Sequence, residues 1–174
     1  MGFNKLFWGF IFLLDFRLNG IDILPDIIGF VMFYQGLSIL EEKNEFFGKA
    51  KKLAFPMIFL SIFDIYQPQI NELGSNPLGV VGILLGITSL ILGVMMVYNI
   101  CNGISNEARL INNKELELKA NNRWILYLIN NIIFIVGILI PMIIGVFFIV
   151  VIIFSIVTYG LMLGLMKTAS NTLE

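Results

Sequence analysis

The chain has 174 residues, of which 58% are apolar and only 13% charged; its net charge is −1 and its mean hydropathy +0.91. A soluble domain of this composition would carry a sticky exterior, so the chain reads as an integral membrane protein, and its balanced charge leaves no footprint for nucleic acid. The lack of histidine and the single Cys101 exclude histidine-dependent triads, zinc chemistry, an internal disulfide and any multi-cysteine metal site.

In chain order, six apolar stretches stand out: residues 3–18, 23–40, 53–65, 78–98, 124–140 and 142–166. The first has the outline of a signal peptide, with Lys5 ahead of apolar residues 6–14. Asp15-Phe16-Arg17 stands where small cleavage-site residues are needed, so a retained helix is predicted. Met1-Gly2 is followed by Leu6 where N-myristoylation needs Ser or Thr. The fourth stretch, about 31 Å as a helix, is a full span; the third, about 20 Å, must extend into Tyr66 and Gln67 or sit in thinned bilayer. The last two form one run interrupted by Pro141. A single helix there would be about 65 Å long, so a tight turn near Pro141 is predicted. The expectation is an all-α, polytopic bundle: one transmembrane domain over residues 1–174, with six transmembrane helices in three hairpins.

Orientation comes from the basic residues. Lys5, Lys43, Lys49, Lys51, Lys52, Arg109, Lys114, Lys119, Arg123 and Lys167 all fall on one side of this map, and only Arg17 on the other. Lysine and arginine collect in cytoplasmic loops, so both termini are predicted to be cytoplasmic, with Trp8, Tyr98 and Trp124 as interfacial anchors at the same ends. The charged segments 41–52 and 99–122 become cytoplasmic linkers. In the second, Ile104, Ala108, Ile111 and Leu118 recur at helical spacing. It reads either as a short interfacial helix on the inner membrane surface or as a solvated connector.

The segment from Asp15 to Asp26 holds four ionisable groups between apolar helices. Asn19-Gly20 is a turn signal, Asp22 is placed to cap the second helix, and Pro25 fits its first turn. Asp26 then falls one turn beyond Asp22 on the same face, where the two carboxylates repel. A charge at this depth needs a partner, so Arg17 is expected to pair with Asp26 or Asp15. The run from Asp15 to Gly29 resembles the opening of small, uncharacterised multi-span membrane proteins of low-GC Gram-positive bacteria. The resemblance covers roughly the first fifty residues; it implies a membrane location and no particular activity. With Asp64 and Glu72, five carboxylates face Arg17 alone at the outer side. Asp15, Arg17, Asp22, Asp26 and Asp64 form the candidate polar site, read either as an outward-facing vestibule for a cation or small solute or as helix-start chemistry meeting water.

Helix 4 carries Gly79, Gly82, Gly86, Ser89 and Gly93 on one stripe, and the last helix carries Gly160 and Gly164. Small residues let backbones approach closely, so the stripe serves packing within the bundle or docking of a second copy or a partner subunit. Asn130 and Asn131 are expected to hydrogen-bond across helices, with Thr88, Ser89 or Gln35 as partners. No GxSxG or HExxH occurs, and Asp22-x-x-x-Asp26 alone is too little for Mg²⁺-diphosphate chemistry. No catalytic residue, cofactor or metal is assigned, and an enzyme is the least favoured class. Size and span count are similar to those of the substrate-binding components of energy-coupling-factor vitamin transporters. The small-xxx-small pair of that family's first helix is absent here, where Trp8, Phe10 and Phe12 stand. Two functions are therefore expected as alternatives: transport or binding of a small solute or cation at an outward-facing acidic site, or an accessory membrane subunit using the helix 4 stripe.

Overall fold

The computed structural model of the chain describes residues 1–14, 17–18, 21–22, 26–64, 79–139 and 141–174. The architecture is all-α, with six α-helices: α1 (Gly2–Phe12), α2 (Asp26–Leu40), α3 (Glu45–Leu60), α4 (Gly79–Leu110), α5 (Lys114–Leu139) and α6 (Pro141–Leu173). A single 3₁₀ turn, Ser61–Asp64, extends α3. Two short extended pieces, β1 (Arg17–Leu18) and β2 (Ile21–Asp22), pair antiparallel in the register Arg17↔Asp22 and Leu18↔Ile21.

The helices close into a ring in chain order. Each packs on its successor, and α6 returns against α1. The tightest contact lies between α1 and α2. A Cβ on Gly9 would lie 3.1 Å from the Gly29 carbonyl oxygen, and one on Gly36 only 2.7 Å from that of Gly2. Each helix therefore contributes two glycines seven residues apart, and the antiparallel pair meets backbone to backbone at both positions. A similar approach joins α3 to α4, where the Phe47 ring lies against Gly103, 2.6 Å from where a Cβ would stand. Around these contacts the core gathers Phe3, Leu6, Phe10, Phe33, Leu37 and Phe47 with Met96, Ile100 and Met162, all with at most 1% of their surface exposed. Phe10 and Phe33 meet edge to face at 4.9 Å between centroids, a geometry that aligns ring edge with ring face.

One end of the ring carries the polar ties. Met1 and Glu174 form an ion pair, Lys43 Nζ donates to the Leu173 carbonyl at 2.7 Å, and Asn44 Nδ2 donates to Glu107 Oε1 at 2.7 Å. The two termini thus meet at the end where the α2–α3 and α4–α5 turns also lie.

Segments Leu84–Leu110 and Ile149–Leu173 are long and apolar enough to cross a membrane, with mean hydropathies of 2.0 and 2.5. Less than a third of either is buried in the ring (28% and 22%), unlike a core helix of a soluble protein, so their composition suggests membrane association. Val81, Leu84, Ile87, Ile91 and Met95 form an exposed apolar stripe along α4, and Ile149, Ile152, Ile153 and Ile156 are exposed on α6.

Several boundaries differ from the sequence expectation. The first helix ends at Phe12 instead of residue 18, because β1 and β2 form a hairpin around Asn19-Gly20, which themselves lie outside the described residues. Helix α2 begins at Asp26, and the Asp22 backbone lies four residues upstream in β2; its side chain, and so the expected cap, lies outside the described residues. The expected same-face pair of Asp22 and Asp26 lies outside them too. Segment 99–122 is largely helical. It is the continuation of α4 and the beginning of α5, separated by a turn at residues 111–113. Asn112 takes a left-handed conformation there (φ 56°), which Asn tolerates better than most residues, and Asn113 Oδ1 accepts from Leu116 N at 3.0 Å to cap α5. Near Pro141 a helix ends at Leu139 and another begins at Pro141 itself, where a missing amide hydrogen costs nothing. Phe147 then interrupts α6 with non-helical angles (φ −106°, ψ 15°).

Candidate functional site

Asp26 is the described member of the predicted acidic set, and its position in the ring defines the site. It opens α2 at the end away from the termini and lines a half-open cavity of about 220 Å³. Leu13, just past the end of α1, borders the cavity with Phe30 of α2 and Met57 of α3. Helix α4 presents Ser89, Gly93 and Met96, α5 presents Tyr127 and Asn131, and α6 presents Tyr159. Asp26 also interacts with the surrounding protein, as does Tyr159. Ser89 and Gly93, predicted as part of a packing stripe, thus share one cavity with the predicted acidic residue.

The polar groups of the wall are held by local bonds. Asn131 Nδ2 donates to the Tyr127 carbonyl at 2.8 Å, one helical turn back. The neighbouring Asn130 is buried, with 3% of its surface exposed, and bonds to Ser155 Oγ of α6 at 2.9 Å. The expected interhelical amide bond is therefore made by Asn130, but with Ser155 and not with the partners foreseen. Thr88 Oγ1 donates to the Leu84 carbonyl at 2.8 Å, and Gln35 accepts from Lys5 Nζ at 2.8 Å. The rings of Tyr127 and Tyr159 meet edge-on at 6.4 Å. Thr158 is buried at 1% exposure, and among the described residues its hydroxyl has no hydrogen-bond partner.

The other predicted residues are distributed as follows. Arg17 and Asp22 face each other in the β1–β2 register, but their side chains, like those of Asp15 and Asp64, lie outside the described residues. Glu72 and the expected pairing of Arg17 with Asp26 or Asp15 lie outside them as well. Along the α4 stripe, the surroundings of Gly79 lie outside the described residues and Gly82 is half-buried. A Cβ on Gly86 would meet nothing within 4 Å, and one on Gly93 only Met57 Cε at 3.9 Å. Close backbone approach instead occurs at Gly2, Gly9, Gly29 and Gly36. Their sevenfold spacing in both helices was a signal that a search for four-residue pairs passes over. Tyr127 and Tyr159 were also missed, since a tyrosine in an apolar run carries no mark of facing a cavity.

Among the described residues no group of three or more His, Cys, Asp or Glu side chains is placed to hold a metal. The cavity instead offers one carboxylate, an amide, a serine hydroxyl and three aromatic faces. That set suits a small solute with one positive or hydrogen-bond-donating end and an apolar body. Set against known proteins, the chain matches no family model, and no curated protein and no solved structure is significantly similar to it.

Proposed function

We propose that the chain is a non-enzymatic, six-span membrane protein with both termini cytoplasmic that binds or transports a small solute in the cavity of its helix ring. The observation that carries this reading is Asp26 on the wall of that cavity, beside Ser89, Asn131 and two tyrosines, in a ring whose outer surface is apolar. A carboxylate among aromatic faces at membrane depth is costly unless it has a role, and such groups mark solute or ion pathways. The cavity, about 220 Å³ and open on one side, has room for at least one end of a small solute, since about 150 Å³ admits benzene. In this topology α4 and α6 cross completely. The shorter α1, α2 and α3 complete their crossings with the segments adjoining them, and the basic end lies at the cytosol. The N-terminal resemblance to small multi-span proteins of Gram-positive bacteria supports the same location.

Thermal unfolding in mild detergent against a panel of small organic ammonium ions tests the site. A ligand at one hundred times its Kd stabilises the folded protein by about 2.7 kcal/mol. The wild type should gain that increment from at least one member of the panel, and Asp26→Asn should lose it. Equal responses from both proteins would remove Asp26 from the site.

A second reading has an observation of its own. Gly86 opens onto empty space beside the exposed Leu84, Ile87 and Ile91, which fits a face that receives another membrane protein or a second copy. On that reading Gly86→Leu dissociates a complex seen by native mass spectrometry, and on the solute reading it leaves assembly unchanged.

A further inference from the structure

A second cleft lies between α5 and α6, on the outer surface of the ring and nearer the basic end. It measures about 180 Å³ and is lined by Lys119, Arg123, Gly160, Gly164, Leu165 and Thr168 among others. Gly160 and Gly164 form an open floor, since a Cβ at either would meet nothing within 4 Å. Lys119 and Arg123 stand one helical turn apart on the same wall. Among the described residues Arg123 makes no ion pair, although it is half-buried. Lys119 bonds only to Glu115 at 2.6 Å, and that hydrogen bond holds the Glu115 carboxyl below its usual pKa. Glu115 is largely in solvent, so this pair is readily exchanged.

The position of the cleft supplies the second half of the argument. Trp124 directly follows Arg123 and packs edge-on against Tyr98 at 4.9 Å, the aromatic pairing expected at a membrane–water boundary. On one side of that boundary the surface is charged, with Glu115, Lys119 and the exposed Lys167. On the other it is apolar, with Ile125, Ile129, Ile156 and Val157 exposed. A half-buried guanidinium without a carboxylate, poised above an apolar surface, calls for an anion that carries its own hydrocarbon.

We infer that this cleft binds the headgroup phosphate of an anionic phospholipid of the cytoplasmic leaflet, clamped by Arg123 and Lys119, with the acyl chains lying along Ile129, Ile156 and Val157. Thr168 is a wall and not a donor, because its hydroxyl donates to the Gly164 carbonyl at 2.9 Å. The glycine floor lets the headgroup sink between the helices, where leucine side chains would fill the space. The inference rests on the membrane reading above and is independent of the Asp26 cavity.

The test uses the full chain reconstituted in nanodiscs of equal phosphatidylglycerol and phosphatidylcholine, then released for native mass spectrometry. Wild type should retain phosphatidylglycerol in preference to phosphatidylcholine. Each of Lys119→Gln and Arg123→Gln should cut that preference about fivefold, the worth of one cation at the surface. Gly164→Leu keeps both charges and should lose the adduct by filling the cleft; if it fails to fold, the two glutamine variants carry the test, since they alter surface groups. Equal retention of both lipids by wild type, or an unchanged preference in the Lys119→Gln/Arg123→Gln double variant, overturns the inference. Displacement of the adduct by inorganic phosphate overturns it too, by marking a site for soluble anions. A chain that does not enter nanodiscs at all would sink the membrane reading along with it, whereas insertion without lipid preference sinks this inference alone.

Discussion

Thr158 is a hydroxyl buried in the ring with no hydrogen-bond partner among the described residues, and a buried polar group in that state costs about 1–3 kcal/mol. Valine has nearly the same shape without the oxygen, so Thr158→Val should raise the unfolding temperature in detergent, with a gain of about 1 kcal/mol. A fall would mean that the hydroxyl serves a molecule held beside Tyr159. Gly36 and Gly86 form a contrasting pair. At Gly36 a methyl group would press on the Gly2 carbonyl oxygen, and Gly36→Ala should cost about 1–3 kcal/mol, in the manner of an overpacked core. At Gly86 the methyl meets nothing, and alanine's better helix propensity should stabilise α4 by up to about 1 kcal/mol. Denaturation of the two variants side by side measures both signs. If both destabilise equally, the α1–α2 backbone contact is not special.

At the scale of elements, the legibility of the chain follows from which forces set each boundary. Apolar runs marked the cores of all six helices, because burial or lipid exposure selects the same side chains. Their ends were harder. The charged residues between Asn99 and Asn122 suit a short separate helix or a connector, and helix propensity and local ion pairs carry α4 and α5 through them. Arg109 reaches Glu117 at 2.7 Å across the turn, and Lys119 pairs with Glu115 within α5. The signal was present in Asn112-Asn113, one residue suited to a left-handed turn and the next to a helix cap. Asn113→Ala should therefore cost about 1 kcal/mol in thermal unfolding. The acidic site was legible at Asp26 because a carboxylate in an apolar run is conspicuous. Its companions Tyr127, Asn131 and Tyr159 lie a hundred residues or more away, and only the closing of the ring brings them to it. The placing of the Asp22 backbone in β2 was missed for a related reason: that hairpin depends on pairing with Arg17, which a local reading of helix starts does not consider.

At the scale of the molecule, orientation is the property to measure. Cys101 is buried at 1% exposure, so a thiol reagent would not reach it from either side. A Leu118→Cys substitution in a Cys101→Ala background places a thiol on an exposed position of α5. On the proposed topology an impermeant maleimide should leave it unlabelled in intact cells and label it once the membrane is opened; labelling of intact cells would invert the protein. The ring itself has a further consequence at its basic end. From Asn99 to Leu110, α4 runs about 18 Å past the aromatic pair at the boundary, with the start of α5 folded back along it. That pair of helices is packed into the ring, with the Phe47 ring of α3 against Gly103 and Asn44 bonded to Glu107. A fluorescent reporter spliced at residue 112 would ride at a fixed height, so any rocking of α4 against α5 would register as a change in its distance from the bilayer.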